Sequence, residues 1–275
     1  MPQSDQYPSG LALRSLESEA DYEQCLDLQR LTWGEDFREL VPPTIVRISQ
    51  KVGGVAAGAF DDDDRMLGFV YGLTGLRHGR AANWSHMLAV RPEARGLGLG
   101  RDLKWFQREQ LLELGVEVVY WTYDPLIARN ANLNLNRLGA LPVEYVIDMY
   151  GADTGSELHS GLGTDRFIVG WEIASNDVAS RRGREATRLT PPPESEDVIV
   201  DGRSAHGLDR AHEGHRAWVE IPPDIDALKA TAGDEAQSWR NGTQKALTAL
   251  MESGFRVDGF SRSTNGYAYR LTRDS

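Results

Sequence analysis

Three glycines alternate with leucines at a point where a strand pattern gives way to a helix pattern. The segment reads Arg95-Gly96-Leu97-Gly98-Leu99-Gly100, after the apolar run Trp84–Val90 and before the amphipathic run Gly100–Leu114. Glycines let the backbone approach a ligand without an intervening Cβ. Amide groups at the start of a helix, backed by its dipole, favour an anion. The sequence therefore predicts a cradle for a phosphate or pyrophosphate group.

Two well-known glycine loops do not fit this segment. A dinucleotide fold places Gly-x-Gly-x-x-Gly directly after its first strand. Here the glycines alternate, and the loop follows the fourth predicted strand. A Walker A loop needs Gly-Lys-Ser/Thr, whereas Gly100 is followed by Arg101-Asp102.

Strand and helix patterns alternate around the loop. Strands are predicted at Leu11–Leu16, Val55–Phe60, Met66–Leu73, Trp84–Val90, Val116–Tyr123, Val143–Tyr150 and Arg166–Ile173. Helices are predicted at Ala20–Thr32, from Pro42-Pro43 to Lys51, at Gly100–Leu114 and at Ala128–Leu138. The run Asp61–Asp64 between two strands predicts a hairpin with a solvated acidic tip.

The loop resembles motif A of the GNAT superfamily of acyl-CoA-dependent N-acyltransferases, whose pattern is Gln/Arg-x-x-Gly-x-Gly/Ala. The preceding Leu88-Ala89-Val90-Arg91-Pro92 is similar to the family's strand-plus-proline entry. The β-α-α-β-β-β order before the loop agrees, and the resemblance covers roughly residues 10–173. It implies an α/β (α+β) GNAT fold, with a mixed, mostly antiparallel central sheet flanked by helices.

The resemblance implies acetyl-CoA or another acyl-CoA as co-substrate. The loop amides would hold the pyrophosphate, and a bulge in the preceding strand would expose amides that polarise the thioester carbonyl. Preorganised amides stabilise the charge that builds on this oxygen. Asn130 and Asn132, with Asn136, either contact the pantetheine arm or cap turns. The implied cofactor-binding residues are Leu88, Ala89, Val90, Arg95, Gly96, Leu97, Gly98, Leu99, Gly100, Arg101, Asn130 and Asn132.

The general base differs from that of many family members. Trp84 stands where some members carry a glutamate. His86 resembles the histidine of the arylalkylamine members, and an imidazole with a pKa of about 6.5 suits a base or a water relay. The alternative is a histidine that is packed or merely exposed on the strand.

The general acid also departs from the family pattern. Many members place a tyrosine four positions before the glycine that ends the helix after the fifth strand, and Leu135 stands there. The leaving thiolate then takes a proton from water or from Tyr123 or Tyr145, unless these tyrosines only pack.

Three charged residues are candidates for substrate binding. Glu35 and Asp36, after the first helix, either bind a substrate ammonium or are surface carboxylates. Arg166 either binds a carboxylate through a bidentate pair or, with Asp165, ties down a loop or pairs with Asp124.

A narrower resemblance is to a bacterial GNAT subfamily with an added C-terminal portion. Some relatives are associated with N-acylamino acid racemases and are thought to N-succinylate amino acids. The segments that carry it are Trp121-Thr122-Tyr123-Asp124-Pro125-Leu126, Tyr150-Gly151 and Thr164-Asp165-Arg166-Phe167.

Composition changes after residue 174. The expected division is a GNAT domain at 1–173, a polar connecting segment at 174–215 and an α/β portion at 216–275 that packs on the first domain or on a dimer partner. The last portion has predicted strands at Trp218–Ile221, Phe255–Ser261 and Tyr267–Leu271, and a helix at Asp234–Ser253. A unit of ~60 residues is marginal alone, which favours packing.

Charge and composition restrict the class of protein. The 275 residues carry 30 Lys+Arg against 41 Asp+Glu, a net charge of −11, which does not favour nucleic acid. No apolar run approaches the ~20 residues of a membrane span, and no secretory signal is evident. Cys25 is the single cysteine, so neither a disulfide nor a structural metal site is expected. A soluble cytoplasmic protein without a metal is the prediction.

These observations predict an acyl-CoA-dependent N-acyltransferase. It would move an acetyl or succinyl group to a primary amine of a small molecule, with amino acids among the candidates. Direct attack in a ternary complex is expected, because Cys25 is far in sequence from the motif. The alternatives are a protein or peptide N-acetyltransferase and a non-catalytic acyl-CoA sensor or scaffold. Dimers are common for this fold, so a homodimer is compatible with the resemblance.

Overall fold

A computed structural model describes residues 10–151, 154–156, 161–183 and 198–274. The chain forms two compact units. Unit 1 takes its residues from 1–121, 154–158 and 172–179, and unit 2 from 122–153, 159–171 and 180–275. The division falls inside one strand, Val118–Tyr123.

Unit 1 contains five strands and three long helices, in the order that the GNAT resemblance implies. The elements are β1 (Ala12–Ser15), α1 (Glu19–Trp33), α2 (Pro43–Lys51), β2 (Val55–Phe60), β3 (Met66–Arg77), β4 (Arg80–Val90), α3 (Leu99–Glu113) and β5 (Val118–Tyr123). A 3₁₀ turn at Pro92–Ala94 joins β4 to the loop before α3. All eight correspond to predicted elements, with ends that differ by a few residues.

The sheet of unit 1 is mixed and mostly antiparallel, which confirms the predicted fold class. Its strands lie in the order β1-β2-β3-β4-β5. The first three neighbouring pairs are antiparallel, and β4 runs parallel to β5. The parallel pairing is short: it joins Asn83 to Val119 and Trp84 to Tyr120.

Helices cover both faces of this sheet, so β2 is buried along its whole length. On one face, Leu99 and Leu103 of α3 pack with Ala57, Ala59 and Val70. The other face carries a second apolar cluster, which includes Cys25, Leu28, Val46, Phe69 and Tyr71. Burial of a leucine or phenylalanine side chain contributes about 1.5–3 kcal/mol, so these contacts hold α3 against β2 and β3.

Unit 2 contains a second sheet and most of the remaining elements. They are α4 (Ala128–Ala131), a π-helical segment (Asn132–Leu138), β6 (Leu141–Val146), β7 (Arg166–Glu172), α5 (Asn176–Ser180), β8 (Val198–Val200), α6 (Leu208–Glu213), β9 (Arg216–Ile221), α7 (Ile225–Thr231), α8 (Gly233–Glu252), β10 (Arg256–Arg262) and β11 (Tyr267–Thr272), of which β7 and α5 lie partly in unit 1. β6 pairs with β7 antiparallel.

The second sheet has the order β10-β11-β9-β8. β8 runs parallel to β9, and the other pairs are antiparallel. α8 buries one apolar stripe, as its periodicity predicts: Ala236, Trp239, Thr243, Ala246, Leu247 and Leu250 are all buried.

Four short elements were not predicted, and one predicted helix is irregular. The unpredicted elements are α5, β8, α6 and α7, which have three to seven residues, too few to show a clear periodic pattern. The helix predicted at Ala128–Leu138 is α-helical for four residues and then widens into a π-helix that ends at Gly139. α5, β8 and α6 lie inside 174–215, Pro191-Pro192-Pro193 lies outside the described residues, and the division at 173 and 215 remains a prediction.

Within the described residues, no helix is both long and apolar enough to cross a membrane.

Candidate functional site

The loop between β4 and α3 turns twice through left-handed backbone. Gly96 has φ 89° and Gly98 has φ 84°, values that side-chain-bearing residues rarely adopt. A Cβ built at Gly96 would meet no atom within 4 Å, and one at Gly98 would meet only the ends of the Asp102 and Arg101 side chains, at 3.6 and 3.9 Å. The space in front of the loop is therefore open.

Five successive amides of this loop lack an internal acceptor. Among the described residues, none accepts a hydrogen bond from the amides of residues 96–100, and internal bonding resumes where Arg101 and Asp102 donate to the Gly98 carbonyl. Residues 95–98 are exposed, so the amides of residues 96–98 face solvent, whereas Leu99 is buried and Gly100 is half-buried. The five amides also lie at the N-terminus of the fifteen-residue α3. The arrangement favours an anion with several acceptor oxygens.

Two arginines flank the loop, and they differ in exposure and in partners. Arg95 is exposed. Arg101 is half-buried, and its Nε lies 3.0 Å from Asp102 Oδ1. Arg95 is thus the arginine better placed to meet an anion, because Arg101 already has a carboxylate partner.

The backbone of β4 opens on one edge beyond Trp84. The register with β3 shifts between Gly72↔Ser85 and Tyr71↔Met87, so His86 is the extra residue of a bulge. Leu88, Ala89 and Val90 are back in regular register. The irregular step thus lies two residues before the three residues for which the bulge was expected.

The amides of Leu88 and Val90 point away from β3. The amide of Arg91 donates to the Leu67 carbonyl at 2.8 Å. Since successive residues of a strand direct their amides to opposite edges, Ala89 faces β3, opposite Phe69, and Leu88 and Val90 face the other edge. β5 pairs with β4 only as far as Trp84, which leaves these two amides as donors on an open edge of unit 1.

The environment of His86 favours the neutral form of its ring. Its ring is half-buried and lies edge-on to Tyr71. Burial lowers the pKa of His86 below its ordinary value, and the charge of Glu39 opposes that shift in part. A neutral imidazole is the form that can accept a proton.

The two predicted acceptor-binding carboxylates are on the surface of unit 1. Glu35 is exposed, and its carboxylate lies 3.7 Å from Arg30 Nε. Asp36 is exposed too, with its backbone packed closely on Gly155. The carboxylate whose charge acts on His86 is Glu39, which the sequence patterns did not single out.

Arg166 belongs to unit 2, where it is 7% exposed. Its Nη1 donates to the Asp165 carbonyl at 2.8 Å and lies 3.8 Å from Asp124 Oδ2. Asp124 is bound more closely by Arg240, and Asp165 accepts from Tyr145 and Gln244. These contacts favour the loop-tying alternative for Arg166 over carboxylate binding.

Asn130 and Asn132 also belong to unit 2 and are half-buried. Asn132 accepts a hydrogen bond from Asn136 at 3.0 Å, and Asn136 also donates to the Phe260 carbonyl at 3.1 Å. Asn136 thereby joins two segments of the chain.

The candidate proton donors of unit 2 are buried. Leu135, which stands at the family's tyrosine position, is 3% exposed. Burial raises the pKa of both Tyr123 and Tyr145. The Tyr123 hydroxyl donates a hydrogen bond to the Tyr269 hydroxyl, and the Tyr145 hydroxyl donates one to the Asp165 carboxylate. These contacts favour the packing alternative for both tyrosines.

One group that the sequence did not reveal is Lys104 of α3. It is 3% exposed, although lysine is almost always on the surface. The sequence signal that could have found it is its position next to the buried Leu103 of α3. Within the described residues, no group of three or more His, Cys, Asp or Glu is placed to hold a metal ion.

No protein-family model matches the chain, and no curated protein sequence matches it. Similar solved structures include the ribosomal-protein-S18-alanine N-acetyltransferase from Escherichia coli, with 18% identity over 60% of this chain and 95% of that one and a TM-score of 0.45. The ribosomal-protein-S5-alanine acetyltransferase from Vibrio fischeri has 14% identity over 61% and 96%, with a TM-score of 0.48. An aminoglycoside 6'-acetyltransferase type Ii has 18% identity over 60% and 99%, with a TM-score of 0.46.

Proposed function

We propose that the chain is an acyl-CoA-dependent N-acyltransferase, which transfers an acetyl or succinyl group to a primary amine of a small molecule. One observation carries the proposal: the amides of residues 96–100 lack internal acceptors at the start of α3, and those of residues 96–98 lie in the open. A diphosphate presents several oxygens to such a row of donors. The motif resemblance selects CoA among diphosphates.

The residues present fit this co-substrate. Gly96 and Gly98 leave open the space that a Cβ would enter, and Arg95 adds a positive charge beside the row of amides. Leu97, Leu99, Gly100 and Arg101 complete the segment, with Leu99 buried as its anchor on the sheet. Asn130 and Asn132 are proposed to contact the pantetheine arm.

The open edge of β4 is proposed to stabilise the reacting carbonyl. Attack of an amine on a thioester places negative charge on the carbonyl oxygen, and the amides of Leu88 and Val90 are fixed donors for it. A carbon–nitrogen bond forms and the carbon–sulfur bond breaks, so the thiolate leaves with the electron pair. The amide of Ala89 faces β3 and is therefore not one of the donors to this oxygen.

His86 is proposed as the base or as the holder of a relay water. Its lowered pKa keeps the imidazole neutral near pH 7, and a neutral imidazole can take the proton that the attacking nitrogen loses. The acceptor ammonium is proposed to meet the acidic loop that contains Glu35, Asp36 and Glu39. Arg166 remains a candidate for a substrate carboxylate, although its contacts favour a structural role.

The acceptor class, domain limits and assembly are also proposals. We expect amino acids among the acceptors, as in the subfamily with racemase-associated relatives. The division at residues 173 and 215, a homodimer and a cytoplasmic location complete the hypothesis.

Release of free CoA from acyl-CoA tests the function directly. Purified full-length chain is assayed with acetyl-CoA and succinyl-CoA, each with a panel of free amino acids, other small amines and short peptides, and CoA binding is measured by calorimetry. Turnover with small amines is the expected result. Turnover with peptides alone would indicate the peptide N-acetyltransferase, and binding without release the sensor. Absence of CoA binding would overturn the proposal.

A further inference from the structure

Lys104 carries a buried amine with no carboxylate partner among the described residues. Its Nζ donates to Ser85 Oγ at 2.6 Å and to Gln107 Oε1 at 3.4 Å, and it lies 3.8 Å from the centre of the Trp121 ring. Burial lowers its pKa well below the ordinary lysine value. Burying an amine is costly in free energy, so an apolar side chain here would serve stability better.

The contacts of Lys104 lie where β4 and β5 separate. The last paired residues are Trp84 of β4 and Tyr120 of β5. Lys104 touches the next residue on each strand, Ser85 and Trp121. One amine on α3 thus contacts both strands immediately beyond the end of their pairing.

A chain of buried amides extends this anchor along β4. Gln107 Nε2 donates to Asn83 Oδ1 at 3.3 Å, and Asn83 Nδ2 donates to Thr74 Oγ1 at 3.1 Å. Asn83 and Gln107 are fully buried. The side chains on both sides of Trp84 are therefore tied to α3 or β3, directly before the bulge at His86.

We propose that Lys104 is a positioning residue for the N-acyltransferase reaction: it fixes the fork between β4 and β5, and with it the bulge and the open edge that follow. The inference rests on the proposed function. Ser85 precedes His86, and the donors Leu88 and Val90 follow within five residues. A displacement of about 1 Å at a reacting group can cost about 10²-fold in rate. Lys104 acts through Ser85 and touches no reacting atom.

The test compares Lys104→Met and Ser85→Ala with the unchanged chain. Lys51→Met is the control, because Lys51 is an exposed lysine at the end of α2. Methionine keeps the length of the stem and removes the amine. We expect the melting temperature of Lys104→Met to be equal or higher, CoA affinity to stay within about twofold, and kcat to fall about 10–100-fold with little change in KM. Ser85→Ala should lower kcat in the same direction.

Hydrogen exchange provides a readout that does not depend on activity. The amides of Met87 and Ala89, which face β3, should exchange at least tenfold faster in Lys104→Met and Ser85→Ala than in Lys51→Met. If the unchanged chain binds no CoA, the proposed function fails, and this measurement still decides the role of Lys104 at the fork. Unchanged exchange, or kcat within twofold of the unchanged chain at normal CoA binding, would overturn the inference. If Lys104→Met does not fold, Ser85→Ala and Lys104→Gln decide it by the same criteria.

Discussion

The imidazole of His86 stands edge-on to the phenol ring of Tyr71, with centroids 6.2 Å apart and planes at 79°. Tyr71 lies opposite Met87 in the ladder, so His86 is the residue that the bulge displaces from pairing. The Tyr71 hydroxyl is shared with Ser49, at 2.7 Å. The tyrosine therefore shields the imidazole by packing, and its hydroxyl is engaged elsewhere.

Replacing His86 with alanine should lower kcat by about 10²–10⁴-fold, the usual contribution of general acid–base catalysis. CoA affinity should change little, because the loop lies beyond the end of β4. His215→Ala, at an exposed histidine, is the matched control and should behave like the unchanged chain. Near-normal turnover of His86→Ala across the pH range would assign His86 to packing.

The pH profile of the unchanged chain should show His86 as a base with a lowered pKa. Turnover requires the neutral imidazole, so kcat/KM should rise with pH through a midpoint below the ordinary histidine value of about 6.5 and level off above it. His86→Ala should lose this limb. A limb that is unchanged in the variant would show that another group titrates.

Gly98→Glu should abolish CoA binding. The substitution brings a side chain and a negative charge to the row of amides, and it strains a residue with φ 84°. Gly115→Glu is the control, since Gly115 has φ 74°, has no atom within 4 Å of its built Cβ and follows the opposite end of α3. Both variants bear a similar strain of about 1–2 kcal/mol, but only Gly98→Glu should lose affinity in calorimetry. Normal CoA affinity in folded Gly98→Glu would remove the motif assignment.

Sequence periodicity predicted α1, α3, β3 and β4 of unit 1 because each has eleven residues or more and so shows its buried face. The glycine loop was also evident, because positions with left-handed backbone are usually occupied by glycine, which the sequence shows directly. The family resemblance implied a bulge in β4, but its position at His86 was not evident, because a one-residue register shift depends on pairing between β3 and β4. Lys104 was missed for a related reason: its burial is decided by Ser85 and Trp121, which are distant in sequence. Short elements such as β8 have too few residues to carry a period.

Asp21→Asn should destabilise the chain by about 2 kcal/mol through loss of charge-assisted hydrogen bonds. The Asp21 carboxylate accepts from the Arg14 guanidinium at 2.7 and 2.9 Å and from the amides of Glu17 and Ser18. These bonds hold the pKa of Asp21 below its ordinary value. Asp27→Asn, at an exposed pair with Arg30, is the control and should change the free energy of unfolding by less than about 0.5 kcal/mol.

The Asp21 contribution should depend on pH in one direction. Because the folded pKa is lower than the unfolded value of about 3.9, the stabilisation is complete above that value and is lost as the pH falls through the folded pKa. Urea unfolding at pH 7 and near pH 3 measures it: the gap between the unchanged chain and Asp21→Asn should shrink at the lower pH. A gap that is constant with pH would mean that the loss comes from packing.

Cutting the chain after Ile173 should cause aggregation or a clear loss of stability. Within unit 2, the removed segment supplies Arg240 to Asp124 and Gln244 to Asp165, and it brings Tyr269 against the buried Phe167. The cut therefore leaves the 1% exposed Asp165 with one partner fewer and uncovers apolar surface.

Arg240→Met in the full-length chain separates the ion pair from the packing, because it removes one guanidinium and keeps the apolar cover. Its melting temperature should fall, yet the variant should stay soluble, whereas residues 1–173 should not purify as a monomer. Size-exclusion chromatography and thermal unfolding of the three proteins measure these outcomes. If residues 1–173 form a soluble monomer with an unchanged melting temperature and full turnover, residues 174–275 are an independent appendage and the packing argument is wrong.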